Sequence, residues 1–181
     1  LTEEEVKRLK NQSSKFNSLL IVDKQKRIVS FEPKSLNLNT QILYKTEGIS
    51  ESLKHKTTYI SAPYWSVKHN LVVLLSQPIY DQNKNYQGMI GGSIYLQKNN
   101  LIQRMLSTEY DFKKSYMYVI DPNNRIIFHP DPSKIGEKIL NNNRLDYMVS
   151  TQTGSVRLIN SRGVENLAGF AYIPSMNWIV V

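Results

Sequence analysis

Two hairpin-like segments with matching turns occur 98 positions apart in this 181-residue chain, and this repeat constrains the fold more than any other feature. The turn Asp23–Arg27 lies between the apolar runs 19–22 and 28–31, and the turn Asp121–Arg125 lies between similar runs. An aspartate at the first position can accept hydrogen bonds from its own turn, and proline and asparagine suit tight-turn dihedral angles. Because such a hairpin can also recur by chance, support for two related units has to come from the surrounding elements.

The hydrophobic pattern around the hairpins predicts an α+β fold, with mostly antiparallel strands and with helices at one side or end. Further strands are predicted at 57–61, 71–80, 86–96, 154–160, 167–173 and 178–181. In the strand 86–96, period-2 alternation places Met89, Ser93 and Tyr95 on one face. The second half repeats the order of the first, which indicates two small units in one chain.

A helix is predicted at the N-terminus, over residues 1–15. Thr2 and Glu5 have the spacing of a capping box. The apolar stripe of this segment consists of Val6, Leu9, Phe16 and Leu20. The predicted domains after the helix are a first module at 16–97, a connecting helix at 98–110 and a second module at 111–181.

The composition excludes several classes of site. The chain has no cysteine, so disulfides, thiolate nucleophiles and cysteine-based zinc sites are impossible. Its net charge of +8 is divided between residues 1–97, with +5, and residues 98–181, with +3, and no basic run is longer than a pair. Nucleic-acid-binding surfaces usually concentrate positive charge on one face, so we expect no nucleic acid partner.

No apolar run approaches the ~20 residues that a membrane-spanning helix needs. The sequence shows neither an initiator methionine nor a signal peptide, and it stops at 178–181 inside a predicted strand. We therefore expect targeting or membrane segments to lie outside this sequence.

Several sequence strings resemble the double Cache domain, a tandem PAS-like sensor. The strings Thr58–Tyr64, Leu75–Tyr80 and Gly88–Leu96 are similar to its membrane-distal half. The strings Tyr118–Asp131 and Gly169–Pro174 are similar to its membrane-proximal half. The resemblance covers nearly the whole chain, and it implies two tandem PAS-like modules with antiparallel sheets after a long N-terminal helix.

The resemblance also implies a function. Such a domain is the extracytoplasmic sensor of a bacterial receptor in the cell membrane, anchored through segments outside this sequence and expected to be a homodimer at full length. A small molecule binds in the distal module, without a cofactor, and the domain itself is not an enzyme. The absent output domain is expected to be a histidine kinase, a diguanylate cyclase or a chemoreceptor region.

The chain departs from the amino-acid-binding members that it resembles. Those members carry an Arg-x-Trp-Tyr string that holds the ligand carboxylate, and no such string occurs between Asn37 and Lys56. Two acidic positions of those members are Ser66 and Ser93 here. Because a buried ammonium group needs anionic partners, we expect a ligand without an α-amine, either a hydroxy- or keto-acid or a neutral polar metabolite.

Hydroxyl-bearing and aromatic side chains of the first half are the usual lining of a small-molecule pocket. The candidate ligand-binding residues are Tyr59, Ser61, Tyr64, Trp65, Ser66, Ser76, Tyr80, Ser93 and Tyr95. Since tyrosine and tryptophan are also ordinary strand residues, we expect at best about half of them to contact ligand. The family pattern places Tyr64 and Ser93 at the pocket. Gly91 is an expected close-approach position beneath the ligand.

One segment, His129-Pro130-Asp131, invites a catalytic or metal-binding interpretation. The other histidines, His55 and His69, lie in the other half of the repeat, and no metal-type spacing surrounds them, so no metal site is predicted. Pro130 and Pro132 make the stretch an extended loop, so a structural turn is favoured. The sequence also lacks the Gly-x-Ser-x-Gly and oxyanion-hole motifs of serine hydrolases, which argues against an enzyme of that class. A small α+β hydrolase and a sensor that responds to a partner protein are the alternative functions.

Overall fold

The computed structural model describes residues 3–12, 14–40, 45–106, 115–139, 145–159 and 163–181. The chain divides into two compact units, Leu1–Arg104 and Met105–Val181. Within the described residues, no helix is both long enough and apolar enough to cross a membrane.

The first unit is an antiparallel sheet with a helix on each face. Its elements are α1 (Glu3–Gln12), β1 (Ser18–Asp23), β2 (Ile28–Glu32), a 3-10 turn (Lys34–Leu36), α2 (Glu47–His55), β3 (Tyr59–Ile60), β4 (Tyr64–Trp65), β5 (Leu71–Tyr80) and β6 (Tyr86–Tyr95), and α3 (Leu101–Leu106) begins in it. The strand order is β2-β1-β6-β5-β3, and β4 also pairs with β5.

The strand register assigns each side chain of the first sheet to one of two faces. Leu19 and Ile21 of β1 face α1, where they form a buried cluster around Val6. The opposite face packs against α2 and carries the larger core, to which α2 contributes Ile49 and Leu53. Ser93 and Tyr95 lie on this second face, as the period-2 pattern predicts.

The second unit repeats the strand order of the first in a smaller sheet. Its elements are β7 (Val119–Ile120), β8 (Ile126–Phe128), a 3-10 turn (Pro132–Lys134), α4 (Leu145–Thr151), β9 (Thr153–Ile159), β10 (Glu165–Ile173) and β11 (Trp178–Val180). The order β8-β7-β11-β10-β9 places the hairpin β7-β8 where β1-β2 lies in the first sheet. Its core includes Met148 of α4 with Phe170 and Ile179.

The two predicted hairpin turns have the same hydrogen bonds. Asp23 Oδ1 accepts from the backbone N–H groups of Gln25 and Arg27, both at 2.8 Å. Asp121 Oδ1 accepts in the same way from residues 123 and 125, also at 2.8 Å. A third copy, at Asp81, joins β5 to β6, with bonds of 2.9 and 2.8 Å. Lys26, Lys84 and Asn124 occupy the left-handed position of the three turns. The same turn therefore occurs three times in the fold, because its hydrogen bonds depend only on residues within the turn.

The N-terminal helix ends earlier than the apolar pattern predicts. The last two residues of that pattern, Phe16 and Leu20, belong to the chain after the helix and to the sheet. α1 ends at Gln12, and Phe16 lies beyond it, packed over Gly92. Leu20 belongs to β1 and faces the other side of the sheet, among the residues that pack on α2. The predicted cap residue Thr2 lies outside the described residues.

Candidate functional site

A small cavity lies in the first unit, on the face of the sheet that packs against α2. Its volume is about 40 Å³, which is room for about three water molecules at roughly 10–15 Å³ each. The lining residues are Ser18, Leu20, Ile28, Leu36, Leu38, Thr46, Ile49, Tyr64, Ser66, Val67, Lys68, Ser93 and Tyr95. Apolar side chains alternate with hydroxyls, as is usual for sites that bind small polar molecules.

The floor of the cavity consists of hydroxyls from two adjacent strands, β1 and β6. Ser18 of β1 pairs with Ser93 of β6, and both residues are nine-tenths buried or more. The Tyr95 hydroxyl donates to Ser18 Oγ at 3.2 Å. Among the described residues, no side chain hydrogen-bonds to Ser93 Oγ. A ligand could therefore use this hydroxyl as a donor or an acceptor.

Tyr64 forms one wall of the cavity. It pairs with Val72, which in turn pairs with Tyr95, so both tyrosines lie on the cavity face. Its side chain is buried, and this burial raises the pKa of Tyr64 to about 12. The hydroxyl therefore stays protonated at physiological pH and can donate a hydrogen bond.

The N-terminus of α2 closes the cavity beside Tyr64. Thr46 is the N-cap residue, but its side chain makes no capping hydrogen bond. Its buried Oγ1 lies near enough to lower the pKa of Tyr64 somewhat, yet no described residue forms a hydrogen bond of good geometry with it. Gly48, in the first turn of α2, contacts the Tyr64 ring directly.

The turn between β4 and β5 supplies the rim. Ser66 and Asn70 hold this turn together, through a backbone bond at 2.9 Å and an Asn70 N–H bond to Ser66 Oγ at 3.2 Å. Val67 and Lys68 extend from the turn at the cavity. Lys68 is the one charged side chain among the described lining residues, which include no aspartate, glutamate or histidine. The lining therefore carries a positive charge and no negative one.

Four of the nine predicted ligand-binding residues line the cavity: Tyr64, Ser66, Ser93 and Tyr95. The other five are Tyr59, Ser61, Trp65, Ser76 and Tyr80, and each has another position or partner.

Three of those five lie toward the C-terminal end of α2, whereas the cavity is at its N-terminal end. Tyr59 stacks on His55 with ring centroids 4.5 Å apart, and Ser76 Oγ donates to the Tyr59 carbonyl at 3.4 Å. The Tyr80 hydroxyl donates to the Lys56 carbonyl at 2.9 Å. A nine-residue helix spans about 13 Å, so these side chains are held away from the cavity.

The remaining two residues, Trp65 and Ser61, are kept out of the cavity by their positions in or beside the strands. Trp65 follows Tyr64 in β4, and alternation along the strand turns it outward, where 52% of it is exposed. Ser61 Oγ accepts from the Leu74 N–H at 2.9 Å, so its hydroxyl binds the backbone of β5.

The sequence prediction did not include α2 or its N-cap. Three signals in the sequence indicate this helix. Thr46 precedes an acidic first turn, Ile49 and Leu53 are four positions apart, and basic residues follow at the C-terminal end. The sequence prediction also missed Leu36 and Leu38 in the lining, because a three-residue 3-10 turn and the loop after it carry no periodic signal.

The glycines of β6 make room for side chains of the protein. A Cβ on Gly91 would lie 2.8 Å from Leu74 Cδ1. A Cβ on Gly92 would lie within 2.7 Å of the Phe16 ring. Gly91 therefore accommodates Leu74 and is not among the lining residues.

The His129 segment forms a turn in the second unit. His129 Nδ1 accepts from the Asp131 N–H at 2.9 Å, and Asp131 Oδ1 accepts from the Ser133 N–H at 3.0 Å. Tyr116 packs edge-on against the imidazole. Burial lowers the pKa of His129, which favours the neutral ring. Within the described ranges, no group of three or more His, Asp or Glu side chains could hold a metal ion.

The chain matches one protein family model, and its fold is similar to those of solved structures. The family model described as Cache domain, of the double Cache type, matches residues 2–181. No curated protein matches the chain.

Solved structures share the fold at low sequence identity. An extracellular ligand-binding receptor from Desulfohalobium retbaense has a TM-score of 0.77 at 16% identity, and the alignment covers 98% of this chain and 32% of that one. The extracellular domain of rpHK1S-Z16, which is described as a histidine kinase, has a TM-score of 0.75 at 11% identity, covering 98% and 74%. The ligand-binding domain of the Pseudomonas aeruginosa PAO1 amino acid chemoreceptor PctB, in complex with L-Arg, has a TM-score of 0.67 at 16% identity, covering 99% and 71%.

The chain thus spans about a third of the first of these structures and about three quarters of the other two. Their low identities bear on the fold alone, whereas the family match extends over nearly every residue. This chain therefore belongs to the double Cache family of non-catalytic, ligand-binding sensor domains.

Proposed function

We propose that this chain is the extracytoplasmic sensor of a bacterial membrane receptor, and that its first unit is the membrane-distal module that binds the ligand. The observation that carries the proposal is the hydroxyl-lined cavity of the first unit, which contains the two residues that the family pattern assigns to the pocket, Tyr64 and Ser93. The second unit, on this proposal, is the membrane-proximal module.

The proposed ligand is a small hydroxy- or keto-acid or a neutral polar molecule, not an α-amino acid. Ser66 and Ser93 stand where the amino-acid-binding members carry acidic residues, and both line the cavity. A ligand ammonium would lose its hydration there without gaining a carboxylate among the described lining residues. PctB is described with L-Arg bound, so free amino acids are the rival ligands to test.

The proposed mechanism is differential binding to two states of the first unit. A ligand in the cavity would contact α2, β4, β6 and the turn 66–70 together, and so would favour the arrangement in which these elements are closest. Such a ligand shifts the population toward that arrangement by its difference in affinity for the two states. This shift is the proposed signal.

A thermal-shift screen of the chain tests the ligand class. The library contains hydroxy- and keto-acids, neutral polar metabolites and the free amino acids, because a ligand that binds only the folded state raises the melting temperature. We expect a hit from the first two groups. Tyr64→Phe should abolish the shift, and Tyr80→Phe, which removes a hydroxyl outside the cavity, should preserve it.

Two outcomes contradict the proposal. Tight calorimetric binding of a free amino acid, lost in Tyr64→Ala, would show that the ligand class is wrong. Failure of every library member to bind would favour a sensor that responds to a partner protein.

The receptor context is proposed as well. The full-length protein should carry apolar segments of about 20 residues on both sides of this domain, followed by a histidine kinase, diguanylate cyclase or chemoreceptor output. It should be a homodimer, which crosslinking in membranes can test. A full-length sequence without such segments would contradict the membrane assignment.

A further inference from the structure

Beyond the proposed small-molecule site, we infer that one end of the first sheet is a binding surface for a linear anionic polysaccharide. This end, called the basic end below, consists of the turn 23–27, the turn 81–85 and the C-terminal end of α2. It carries six lysine and arginine side chains: Lys24, Lys26, Arg27, Lys54, Lys56 and Lys84. None of these six side chains lines the cavity.

Hydrogen bonds hold the three segments of the basic end together. The Lys24 N–H donates to the Gln87 carbonyl at 3.1 Å, which fixes the first turn beside the start of β6. The Tyr80 hydroxyl donates to the Lys56 carbonyl at 2.9 Å, which fixes the end of α2 beside the end of β5. Because the three segments are far apart in the sequence, no long basic run marks this surface.

The carboxylates at the basic end are already engaged by the protein. Asp23 Oδ1 accepts two backbone N–H bonds, and the Asp81 carboxylate accepts from two backbone N–H groups and two side-chain amides. Glu51 Oε2 lies 3.5 Å from Lys54 Nζ. Six basic and three acidic side chains leave a charge of +3 at this end.

Four cations of the basic end have no carboxylate partner among the described residues. Lys24, Arg27 and Lys84 are exposed, and none of them forms an ion pair there. Lys56 Nζ lies over the Tyr86 ring, 5.5 Å from its centroid, and forms no ion pair with a described residue. Unpaired cations that are held close together attract a polyanion, which releases its counter-ions on binding.

Local structure does not explain two of the lysines. Lys26 and Lys84 occupy left-handed positions of their turns, with φ of 70° and 63°. Such positions favour glycine or asparagine, and a lysine there costs conformational energy. Lys56 is also left-handed, but the dipole of α2 gives it a local reason to be basic. The turns therefore carry positive charge where their geometry favours other residues.

Neutral groups at the basic end favour a sugar polymer over other polyanions. Tyr80 is 49% exposed, and its ring meets Tyr86 edge-on, so part of it is free to pack on a sugar ring. The two turns add the exposed amides of Gln25, Gln82 and Asn83, which can donate to and accept from sugar hydroxyls. The extracytoplasmic location proposed above also favours a polysaccharide over a nucleic acid.

The basic end lies at the opposite end of β5 from the cavity rim. β5 begins at Leu71, next to the rim turn 66–70, and ends at Tyr80. Ten residues of strand span about 30 Å. A polymer bound at the basic end therefore leaves the cavity open to a small molecule.

The test measures polymer binding to the intact chain by calorimetry. The probes are heparin and polygalacturonate, with neutral dextran, inorganic polyphosphate and a DNA duplex for comparison. We expect both anionic polysaccharides to bind, dextran not to bind, and polyphosphate and DNA to bind about five-fold more weakly or worse. Raising NaCl from about 50 to 200 mM should weaken polysaccharide binding about ten-fold or more, because four cations release counter-ions.

Paired variants locate the surface. Lys24→Gln combined with Lys84→Asn removes two of the four unpaired cations, and asparagine suits the left-handed position, so polysaccharide binding should weaken about ten-fold. Lys7→Gln combined with Arg8→Gln removes the same charge from exposed positions of α1 and should have little effect. Tyr80→Ala should weaken polysaccharide binding about three-fold and leave polyphosphate unchanged, whereas Tyr80→Phe should preserve both.

Each other outcome overturns a defined claim. If neither anionic polysaccharide binds, the inference fails. Equal weakening in the α1 pair would show a response to overall charge and would overturn the location. Binding of polyphosphate or DNA as tightly as the polysaccharides would overturn the choice of a sugar polymer. Tyr64→Phe should bind polysaccharide like the unaltered chain, so a failure of the cavity proposal and a failure of this inference are distinguishable.

Discussion

The phenol ring of Tyr64 lies directly on Gly48, so that a Cβ at position 48 would overlap the ring. Alanine normally stabilises a helix relative to glycine by about 1 kcal/mol. Here we expect Gly48→Ala to lower the free energy of unfolding by about 1–3 kcal/mol, because the buried ring has to move. Urea denaturation measures the change.

A double-mutant cycle isolates the cause of this effect. In a Tyr64→Ala background the overlap is gone, and Gly48→Ala should then be neutral or stabilising. Gly169→Ala in β10, where a Cβ would meet only ordinary contacts, is the control for glycine replacement. Stabilisation by Gly48→Ala in the unaltered chain would contradict the packing described here.

Alkaline pH should destabilise the protein through two tyrosines. Burial raises the pKa of Tyr64 and of Tyr118 from 10.0 to about 12. The folded state therefore holds these protons more tightly than the unfolded state, so the contribution is fully present below pH 10 and is lost as the pH rises from 10 to 12. Urea midpoints at pH 8, 9, 10 and 11 should fall above pH 10. The fall should be smaller in Tyr64→Phe, and an equal fall would contradict the assignment.

Acid should weaken the turn between β5 and β6. The backbone bond from Asn85, helped by the side chains of Asn85 and Gln87, lowers the pKa of Asp81 below 3.8. The stabilisation is therefore present above the unfolded-state pKa and is lost as the pH falls through the lower folded-state pKa. Between pH 5 and pH 2, Asp81→Asn should show a shallower loss of stability than the unaltered chain. Parallel acid profiles for the two proteins would contradict this role.

Asn100 should be important for the stability of the first unit. Its buried side chain donates to the carbonyls of Tyr95, Leu96 and Lys98, and its Oδ1 caps α3 by accepting from the Gln103 N–H at 3.0 Å. Asn100→Ala leaves several of these groups unpaired, so we expect a loss of about 1–3 kcal/mol. Asn99→Ala, at the exposed neighbouring position, should cost much less. Equal effects in thermal or urea unfolding would refute the capping role.

The sequence was sufficient to predict the features that local chemistry decides. The hairpin turns at Asp23 and Asp121 depend on a side chain that bonds within five residues, and the same rule explains the third turn at Asp81. Alternation in β6 placed Ser93 and Tyr95 on one face because a strand with a single buried face has a fixed register.

The features decided by long-range packing could not be predicted in the same way. Tyr64 and Tyr80 are both strand tyrosines, but only Tyr64 lies at the end of α2 that borders the cavity. The position of α2 over the sheet decides this difference. The apolar spacing assigned Phe16 to the same pattern as α1, but Phe16 packs over Gly92. This position depends on a strand about 75 residues later in the chain. The short helix α2 itself has few periodic positions, so its weak pattern was not recognised.

The composition of the cavity lining has a consequence for the conditions under which a receptor could operate. Aspartate, glutamate and histidine are the side chains that ordinarily gain or lose protons between about pH 4 and pH 7, and none is among the described residues that line the cavity. Occupying the cavity would then neither take up nor release a proton from these residues near neutrality. For a ligand whose own charge is constant in that range, the lining side chains would therefore add no dependence on the acidity of the medium to the response of a receptor built on this unit.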